Sequence, residues 1–257
     1  MTRFETFRAD ALARRDVLRA ELSRRTTLAR QVKPEGVSGP SARLIWGELG
    51  SFAQLRIRAP QIEPALRPQP VILLPGLGSH PVRMRYLERA LTAAGHGVAD
   101  WGLGFNLGPT EQNFAMLLAR IEQVSIEQGA PVALVGWSLG GLFAREAAKM
   151  RPDCVSRVIT MGTPFSGDRR ANNAWRAYQF VTGHSVDEPP IPCDFAVKPP
   201  VPTTALWSPR DGVVSPRSSC GRKGERDHAV ALRCTHIRFA SDPHAIAEVL
   251  RQLDRMD

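Results

Sequence analysis

Residues 131–141 read Pro131-Val-Ala-Leu-Val-Gly-Trp-Ser-Leu-Gly-Gly141, and this stretch decides the fold. Its first half is a continuous apolar run, which is typical of a strand that is buried on both faces. The pattern Gly136-Trp-Ser138-Leu-Gly140 matches G-x-S-x-G, and a helical pattern follows it. A strand, a serine turn and a helix in this order predict a nucleophile elbow, in which small residues allow a sharp turn that holds Ser138 clear of the backbone.

The same alternation of apolar runs and helical patterns extends over the chain from Pro70 onward. Short apolar runs alternate with helical patterns, which predicts a mostly parallel central sheet with helices on both faces. The fold class is therefore α/β. The predicted strands are 71–74, 97–101, 131–136, 157–161, 204–207 and 229–233, and the predicted helices are 82–94, 111–128, 139–150 and a last one capped by Asp242.

The N-terminal part does not show this alternation. Residues 1–40 hold an Arg-rich helical pattern and then a breaker-rich linker, so we treat them as an extension of an α/β domain that spans residues 41–257. Two half-polar segments, Ala42–Leu49 and Ser51–Arg58, flank Gly50. They predict two edge strands joined as a hairpin.

A second irregular segment, at about residues 165–202, is rich in Pro, Asn and Asp. A structureless connection of this length is uncommon in a compact domain unless it is a lid or a binding loop. We therefore predict a small lid-like insertion here.

A serine hydroxyl becomes an effective nucleophile when a base takes its proton and an acid orients that base. In chains with this elbow, the acid follows the serine and the histidine follows the acid. Asp211 follows the predicted strand 204–207 and His236 follows 229–233, so both lie where strands end near Ser138. We predict Ser138 as the nucleophile, Asp211 as the acid and His236 as the base.

Other residues compete for these roles. Asp168 follows the predicted strand 157–161 and is the alternative acid. His80 lies on a loop near the site but precedes the serine in sequence. The remaining histidines are less suitable. His228 lies at the far end of a strand, His184 in the insertion, His244 in the last helix and His96 before a strand.

The attacked carbonyl becomes an oxyanion and needs two hydrogen-bond donors. The amide of Leu139, which follows the serine, is one. The loop Pro75–His80 supplies the other, and its two glycines favour the amide of Leu77. A glycine-rich phosphate-binding turn is the alternative for this loop, but no Lys-Ser/Thr pair follows it.

Several aromatic residues are candidate substrate-binding groups. Trp137 lies within the elbow itself. Trp101, Phe105 and the polar Asn106 follow another predicted strand, and the insertion supplies Trp175, Tyr178 and Phe180. Packing into the core is the alternative for the residues outside the elbow.

The composition sets limits on function. The 257 residues, 43% of them hydrophobic, are enough to bury one large core. The net charge of +9 is carried almost entirely by arginine, yet no basic and aromatic stripe points to nucleic acid, so the one candidate macromolecular partner is an acidic carrier protein. No apolar run is long enough to span a membrane and no secretory signal is found, so we expect a cytoplasmic protein.

The four cysteines show no C-x-x-C pair and no histidine at metal-ligand spacing. We therefore expect no metal site, and reduced thiols rather than a disulfide. Pairing of Cys220 with Cys234 stays open, since both lie between Asp211 and His236.

Five motifs resemble the successive landmarks of bacterial esterases and lipases of the α/β-hydrolase superfamily. The resemblance covers roughly Pro70 to the end of the chain. It implies the α/β-hydrolase fold, an esterase or lipase acting on a small-molecule or lipid-like ester, the triad and oxyanion amides placed as above, and no cofactor. The elbow is also similar to that of the pimeloyl-carrier-protein methyl ester esterases, whose substrate is attached to an acidic partner. The motifs are Leu73-Leu-Pro-Gly-Leu-Gly78, Gly136-Trp-Ser-Leu-Gly-Gly141, Met161-Gly-Thr-Pro-Phe165, Ser208-Pro-Arg-Asp-Gly-Val-Val214 and Thr235-His236.

The sequence thus predicts a serine hydrolase that cleaves carboxylic esters through an acyl-enzyme. An acyltransferase, a thioesterase or a methyl esterase for carrier-bound acyl groups is the first alternative. A catalytically silent binding module on the same scaffold is the second.

Overall fold

The computed structural model describes residues 3–53 and 62–256. Six strands of the described chain form one sheet in the order β2-β1-β3-β4-β5-β6, and every neighbouring pair is parallel. The predicted α/β fold with a parallel central sheet is thereby confirmed. The strands are β1 Pro70–Leu74, β2 Gly97–Asp100, β3 Val132–Trp137, β4 Val155–Met161, β5 Thr203–Trp207 and β6 His228–Ala231.

Helices cover both faces of the sheet. Helix α4, Glu111–Gln128, is capped at both ends: the Thr110 side chain accepts from the Asn113 amide, and Gly129 after the last turn is in the left-handed conformation. Short 3-10 turns lie at Pro81–Met84 and His236–Arg238. The α-helices of the described residues are α1 Arg3–Ala29, α2 Ala42–Ala53, α3 Arg85–Ala93, α4 Glu111–Gln128, α5 Leu139–Met150, α6 Trp175–Thr182, α7 Pro216–Cys220 and α8 Pro243–Leu253.

Two apolar cores form because successive strand residues point to opposite faces of the sheet. Ile72 and Leu134 pack with residues of α4 and α5 on one face. Their neighbours Val71 and Val135 pack with residues of α3 and α8 on the other face. The central strands β1 and β3 are therefore buried along their whole length, as their continuous apolar runs predict.

The predicted hairpin at residues 42–58 is wrong where the structure describes it, because Ala42–Ala53 is helix α2. Residues 54–58 lie outside the described residues. The half-polar composition favoured edge strands, but Leu44, Gly47, Glu48 and Ser51 have the spacing of one helical face. This face lies against the loops that follow β5 and β6, where Ser51 Oγ and Thr235 Oγ1 are 2.8 Å apart. Tertiary contacts therefore stabilise the helix.

Helix α1 packs on α6, the helix of the insertion. Arg25 Nη1 donates to the Val181 carbonyl at 2.6 Å, and Arg24 Nη1 donates to the Gly183 carbonyl at 2.8 Å. In return, Gln179 Nε2 donates to the Leu28 carbonyl at 2.5 Å. The Arg-rich helix is thus tied to the insertion through the carbonyl end of α6.

All four cysteines are free thiols. Within the described ranges, no helix has both the length and the apolar character needed to cross a bilayer. The same residues contain no cluster of three or more His, Cys, Asp or Glu side chains that could hold a metal ion.

Candidate active site

Ser138 lies between the end of β3 and the start of α5, in an unusual backbone conformation. Its φ of 54° and ψ of −120° make it the one residue other than glycine with positive φ in the described chain. Such strain costs about 1–3 kcal/mol and persists only where the surroundings enforce it. Two backbone bonds do so here, from the Ser138 amide to the Met161 carbonyl at 2.8 Å and from the Gly141 amide to the Ser138 carbonyl at 3.0 Å.

Glycines around Ser138 make this turn sterically feasible. A Cβ atom on Gly136 would lie 2.5 Å from the Gly140 carbonyl oxygen. A Cβ atom on Gly140 would overlap the Leu74 carbonyl oxygen, and one on Gly141 would overlap the Thr163 hydroxyl. The chain therefore forms the predicted strand-to-helix elbow.

Asp211 and His236 meet at the same edge of the sheet. Asp211 Oδ2 and His236 Nδ1 are 2.8 Å apart, and the two side chains are almost completely buried. Asp211 Oδ1 accepts hydrogen bonds from the amides of Val213, at 2.8 Å, and Val214, at 2.7 Å. The carboxylate is thus fixed with one oxygen left for the imidazole, and His236 lines one open cleft together with Ser138.

The pKa of His236 reflects opposing influences. Burial lowers it, but the Asp211 carboxylate outweighs burial through its charge and hydrogen bond, and the charge of Glu48 adds to this effect. The net result is a pKa raised above the ordinary value of 6.5. The neutral imidazole, which can accept a proton, therefore predominates only above this raised pKa.

The alternative acid and base residues lie elsewhere or make other bonds. Asp168 is exposed, and its Oδ1 accepts from the Arg170 amide at 2.7 Å. His228 is the first residue of β6, at the strand end opposite to His236. His80 lines the cleft, but its Nδ1 accepts from the Val82 amide, at 3.3 Å.

Two predicted oxyanion donors flank Ser138. Leu139 is the first residue of α5, so its amide is one of those that have no partner inside the helix. Leu77 lies on the loop after β1, and both residues line a cavity with Ser138. A helix N-terminus also favours negative charge, because its free N–H groups carry partial positive charge.

Asn106 holds the Leu77 loop and does not line either of the two cavities at Ser138. Its side-chain Nδ2 donates to the Pro75 carbonyl, and its backbone carbonyl accepts from the Gly78 amide, both at 2.7 Å. The Asn106 amide donates to the Ser79 carbonyl at 3.0 Å. A fully buried side chain thus fixes the loop that carries the second candidate donor.

Two cavities of different character meet at Ser138 and Leu77. One has a volume of about 100 Å³ and is lined mostly by apolar residues, among them Leu142 and Phe143 of α5. The other is an open cleft of about 590 Å³ that also contains His236. Ser138 can therefore be approached from both.

The predicted aromatic groups divide between these cavities and other places. Trp175 and Tyr178 line the small cavity, while Trp137 and Phe105 line the open cleft. The Trp137 Nε1 also donates to the His236 carbonyl at 3.0 Å.

Two of the predicted substrate-binding residues line neither cavity. Trp101 is a core residue that stands edge-on to Phe143, with ring centroids 5.7 Å apart, and its Nε1 donates to the Gly104 carbonyl. Phe180 is 42% exposed, because five residues of helix turn it away from the face of Trp175.

Gly162 and Glu48 contact the Asp211–His236 pair, and the sequence analysis did not single out either residue. Gly162 has φ 57°, and a Cβ atom there would lie 3.0 Å from both Asp211 Oδ2 and His236 Nδ1. The sequence signal for Gly162 was its place in the Met161–Phe165 motif. Glu48 accepts backbone hydrogen bonds from the loops of Asp211 and His236, and its signal was the helical spacing of α2.

Comparison with known proteins rests on structure. No protein-family model matches the chain, and neither does any curated protein. A lipase-esterase related protein from Clostridium acetobutylicum matches with a TM-score of 0.55 and 13% identity, over 76% of this chain and 98% of that one. A monoacylglycerol lipase from Paleococcus ferrophilus matches with a TM-score of 0.53 and 20% identity, over 78% and 97%.

A third solved structure agrees with these two. The 2-hydroxy-6-oxo-6-phenylhexa-2,4-dienoate hydrolase from Rhodococcus matches with a TM-score of 0.53 and 16% identity, over 72% of this chain and 89% of that one. At such low identity these likenesses bear on the fold. Together with the parallel sheet and the serine elbow, they show that this chain has the α/β-hydrolase fold.

Proposed function

We propose that the protein is a serine hydrolase that cleaves carboxylic esters, with Ser138 as nucleophile, His236 as base and Asp211 as the orienting acid. The observation that carries the proposal is the buried 2.8 Å contact between His236 and Asp211 beside a strained serine elbow. The lipase and hydrolase names of the structural neighbours agree with it. Buried carboxylate and imidazole groups in a cleft are typical of functional sites.

The reaction follows from these roles. His236 takes the proton of Ser138 Oγ as the oxygen attacks the ester carbonyl, and the Leu77 and Leu139 amides stabilise the oxyanion. The C–O bond to the leaving alcohol breaks as His236 returns the proton to the alcohol oxygen. Water, deprotonated by His236, then attacks the acyl-enzyme and releases the acid and the free serine.

The two cavities take different parts of the substrate. The leaving alcohol must be near the imidazole that protonates it, so it occupies the open cleft that His236 lines. The acyl chain then occupies the small apolar cavity, which extends from Ser138 between α5 and the insertion. This division favours an ester with a short apolar acyl group and a larger alcohol.

Volume sets the length of that acyl group. A cavity of roughly 150 Å³ holds benzene, a ring of six carbons, so a cavity of about 100 Å³ fits an acyl chain of about four carbons. A longer chain extends beyond this space towards solvent or displaces the side chains that line it. We therefore expect the specificity constant to peak at a short acyl chain.

A series of p-nitrophenyl esters from acetate to palmitate tests the proposal, with Ser138→Ala as the control. We expect kcat/KM to be greatest near butyrate and to be abolished in the variant. We also expect a fluorophosphonate probe to label the wild-type protein and not Ser138→Ala. A maximum at palmitate would contradict the assignment of the small cavity.

Two results would favour the alternative functions. A strong preference for acyl thioesters over matched oxygen esters would replace the ester hydrolase with a thioesterase. Absence of both hydrolysis and fluorophosphonate labelling in the wild-type protein would favour a silent binding module. These assays therefore separate an ester hydrolase from a thioesterase and from a silent binding module.

A further inference from the structure

Helix α2 presents one side chain to both loops that carry the acid and the base. Glu48 lies one turn after Leu44 on the face that packs against these loops, and it is only 4% exposed. Contact is so close that a Cβ atom on Gly212 would lie 2.6 Å from the Leu44 carbonyl oxygen and 3.0 Å from Glu48 Cγ. Only glycine therefore fits next to Asp211 at this point.

The Glu48 carboxylate accepts three backbone hydrogen bonds. Its Oε1 accepts from the Gly212 amide at 2.8 Å and from the His236 amide at 2.7 Å. Its Oε2 accepts from the Ile237 amide at 3.0 Å. One of these donors follows Asp211 directly in the chain, and another belongs to His236 itself, so one carboxylate joins the two loops.

The partners of Glu48 are unusual for a buried acid. Within the described ranges, no Lys, Arg or His side chain forms an ion pair with it, so the three amides supply the compensation that a buried carboxylate requires. A role limited to packing α2 would be served as well by an apolar side chain of similar size. A carboxylate in this place is explained by what it binds.

We propose that Glu48 is a positioning residue of the hydrolase, which holds the Asp211 loop and the His236 loop at the spacing that their hydrogen bond requires. This inference rests on the proposed function, because it assigns Glu48 a task in the same reaction. Glu48 acts through the backbone and does not line either cavity at Ser138.

An electrostatic effect accompanies the positioning. The charged or titratable groups that face the His236 imidazole are Asp211 and Glu48 beside it, and His80 and Arg83 across the cleft. The negative charge of Glu48 helps to raise the pKa of His236. Removing this charge therefore lowers that pKa, and activity that depends on neutral His236 should extend to lower pH.

Glu48→Gln is the decisive variant because it keeps one acceptor and removes the charge. Its amide oxygen can still accept from Gly212 and His236, while its NH₂ group faces the Ile237 amide, donor against donor. We expect kcat to fall about 10-fold in Glu48→Gln and about 100-fold in Glu48→Ala, with KM changed by less than about twofold. The acid limb of the kcat profile should shift to lower pH in both.

Glu122→Gln is the matched control, since it removes the same charge from a partly exposed ion pair with Arg151, on helix α4. We expect it to keep the wild-type kcat and pH profile. If Glu48→Ala does not fold, as judged by circular dichroism, the comparison of Glu48→Gln with Glu122→Gln carries the test. Equal kcat values and equal acid limbs in these two variants would overturn the proposal.

NMR titration of the His236 ring separates this inference from the proposed function, because it needs no turnover. A midpoint that moves to lower pH in Glu48→Gln but not in Glu122→Gln supports the coupling of Glu48 to His236, even if the wild-type protein hydrolyses no ester. An unchanged midpoint in a protein that does hydrolyse esters overturns the role of Glu48 and leaves the proposed function intact.

Discussion

The loops that carry Ser138, Asp211 and His236 and the segment that covers the small cavity are held in opposite ways. The rim, which comprises the proposed triad with its loops, lies at strand ends and is fixed by buried carboxylates that accept hydrogen bonds from backbone amides. The cavity roof, residues 186–197, has no helix or strand. Arg145, Lys149 and Arg169, which lie outside this segment, hold it by donating to its carbonyl oxygens.

Two arginines that lie outside the roof reach it with long side chains. Arg169 donates to the carbonyls of Val186, at 2.9 Å, and Cys193, at 3.1 Å. Arg145, on α5, donates to the carbonyls of Phe195, at 3.0 Å, and Val197, at 3.1 Å. A long side chain has several rotatable bonds, so it tolerates larger shifts of its partners than the shorter side chains of Asp211 and Glu48 do.

This difference predicts where substitutions will act. Changes in the rim should reduce turnover for every ester, because the geometry of proton transfer is common to all of them. Changes in the roof should alter which ester is preferred, or the stability of the fold, while turnover of the smallest ester is kept. The predictions below test this division in order of their expected effect on turnover.

Asp211→Asn should have the largest effect. The amide cannot hold the imidazole in the tautomer that accepts the serine proton, so we expect kcat to fall about 10³- to 10⁴-fold with an unchanged circular dichroism spectrum. Asp168→Asn, at the alternative acid, should stay within about twofold of the wild-type rate. An equal loss in both variants, measured with p-nitrophenyl acetate, would refute the assignment of Asp211.

Gly162→Ala should have the next largest effect. Its methyl group would lie 2.8 Å from Phe239 Cε2 and 3.0 Å from both Asp211 Oδ2 and His236 Nδ1. These side chains would have to shift, so we expect kcat to fall about 10- to 100-fold. Gly167→Ala is the matched control, because Gly167 also has positive φ but no atom lies within 4 Å of its Cβ position. If both variants lose the same activity, backbone strain and not contact with the pair is the cause.

Sequence reasoning succeeded where local patterns and the fold coincide. The strand β3, the elbow and α5 follow from one stretch, and the contact between Asp211 and His236 follows from strand ends and chain order. It failed at α2, since a twelve-residue helix with Gly47 and Gly50 has weak local preference and is stabilised by contacts that are remote in sequence. Glu48 was missed for the same reason, because its partners are more than 160 residues away.

The aromatic residues show a second limit. Trp101 and Trp175 are both almost completely buried, but Trp101 fills the core and Trp175 lines the small cavity. Whether a tryptophan fills the core or lines the cavity depends on the rotation of a helix or on the path of a loop after a strand. Neither is specified by the residue or its neighbours in sequence.

Trp175→Ala tests the small cavity that the roof covers, because this residue of α6 lines it. Loss of the indole enlarges the small cavity, so we expect the preferred acyl chain to lengthen and the ratio of kcat/KM for octanoate over butyrate to rise about 10-fold. Phe180→Ala is the control on the same helix, because its side chain is exposed and lines neither cavity. An unchanged ratio in Trp175→Ala would show that the acyl chain does not occupy this cavity.

Arg145→Met should have the smallest effect on turnover and a clear effect on stability. Burial lowers the pKa of Arg145 to about 10, so the group is still charged near neutral pH and its loss leaves several roof carbonyls without a donor. We expect the free energy of unfolding in urea to fall by about 2–4 kcal/mol, while kcat for p-nitrophenyl acetate changes by less than about threefold. Arg89→Met, at an exposed position on α3, should change neither quantity.

The result for Arg145 decides whether roof and rim are independent. Arg145 and Ser138 belong to the same elbow and helix, so a rigid connection between them would transmit the loss of the roof directly to the nucleophile. If the roof and the rim are independent, the backbone hydrogen bonds of Ser138 with Met161 and Gly141 keep the nucleophile in place when the roof shifts. These bonds do not involve the roof. A fall in kcat as large as that of Gly162→Ala would mean that the cavity roof is part of the catalytic geometry.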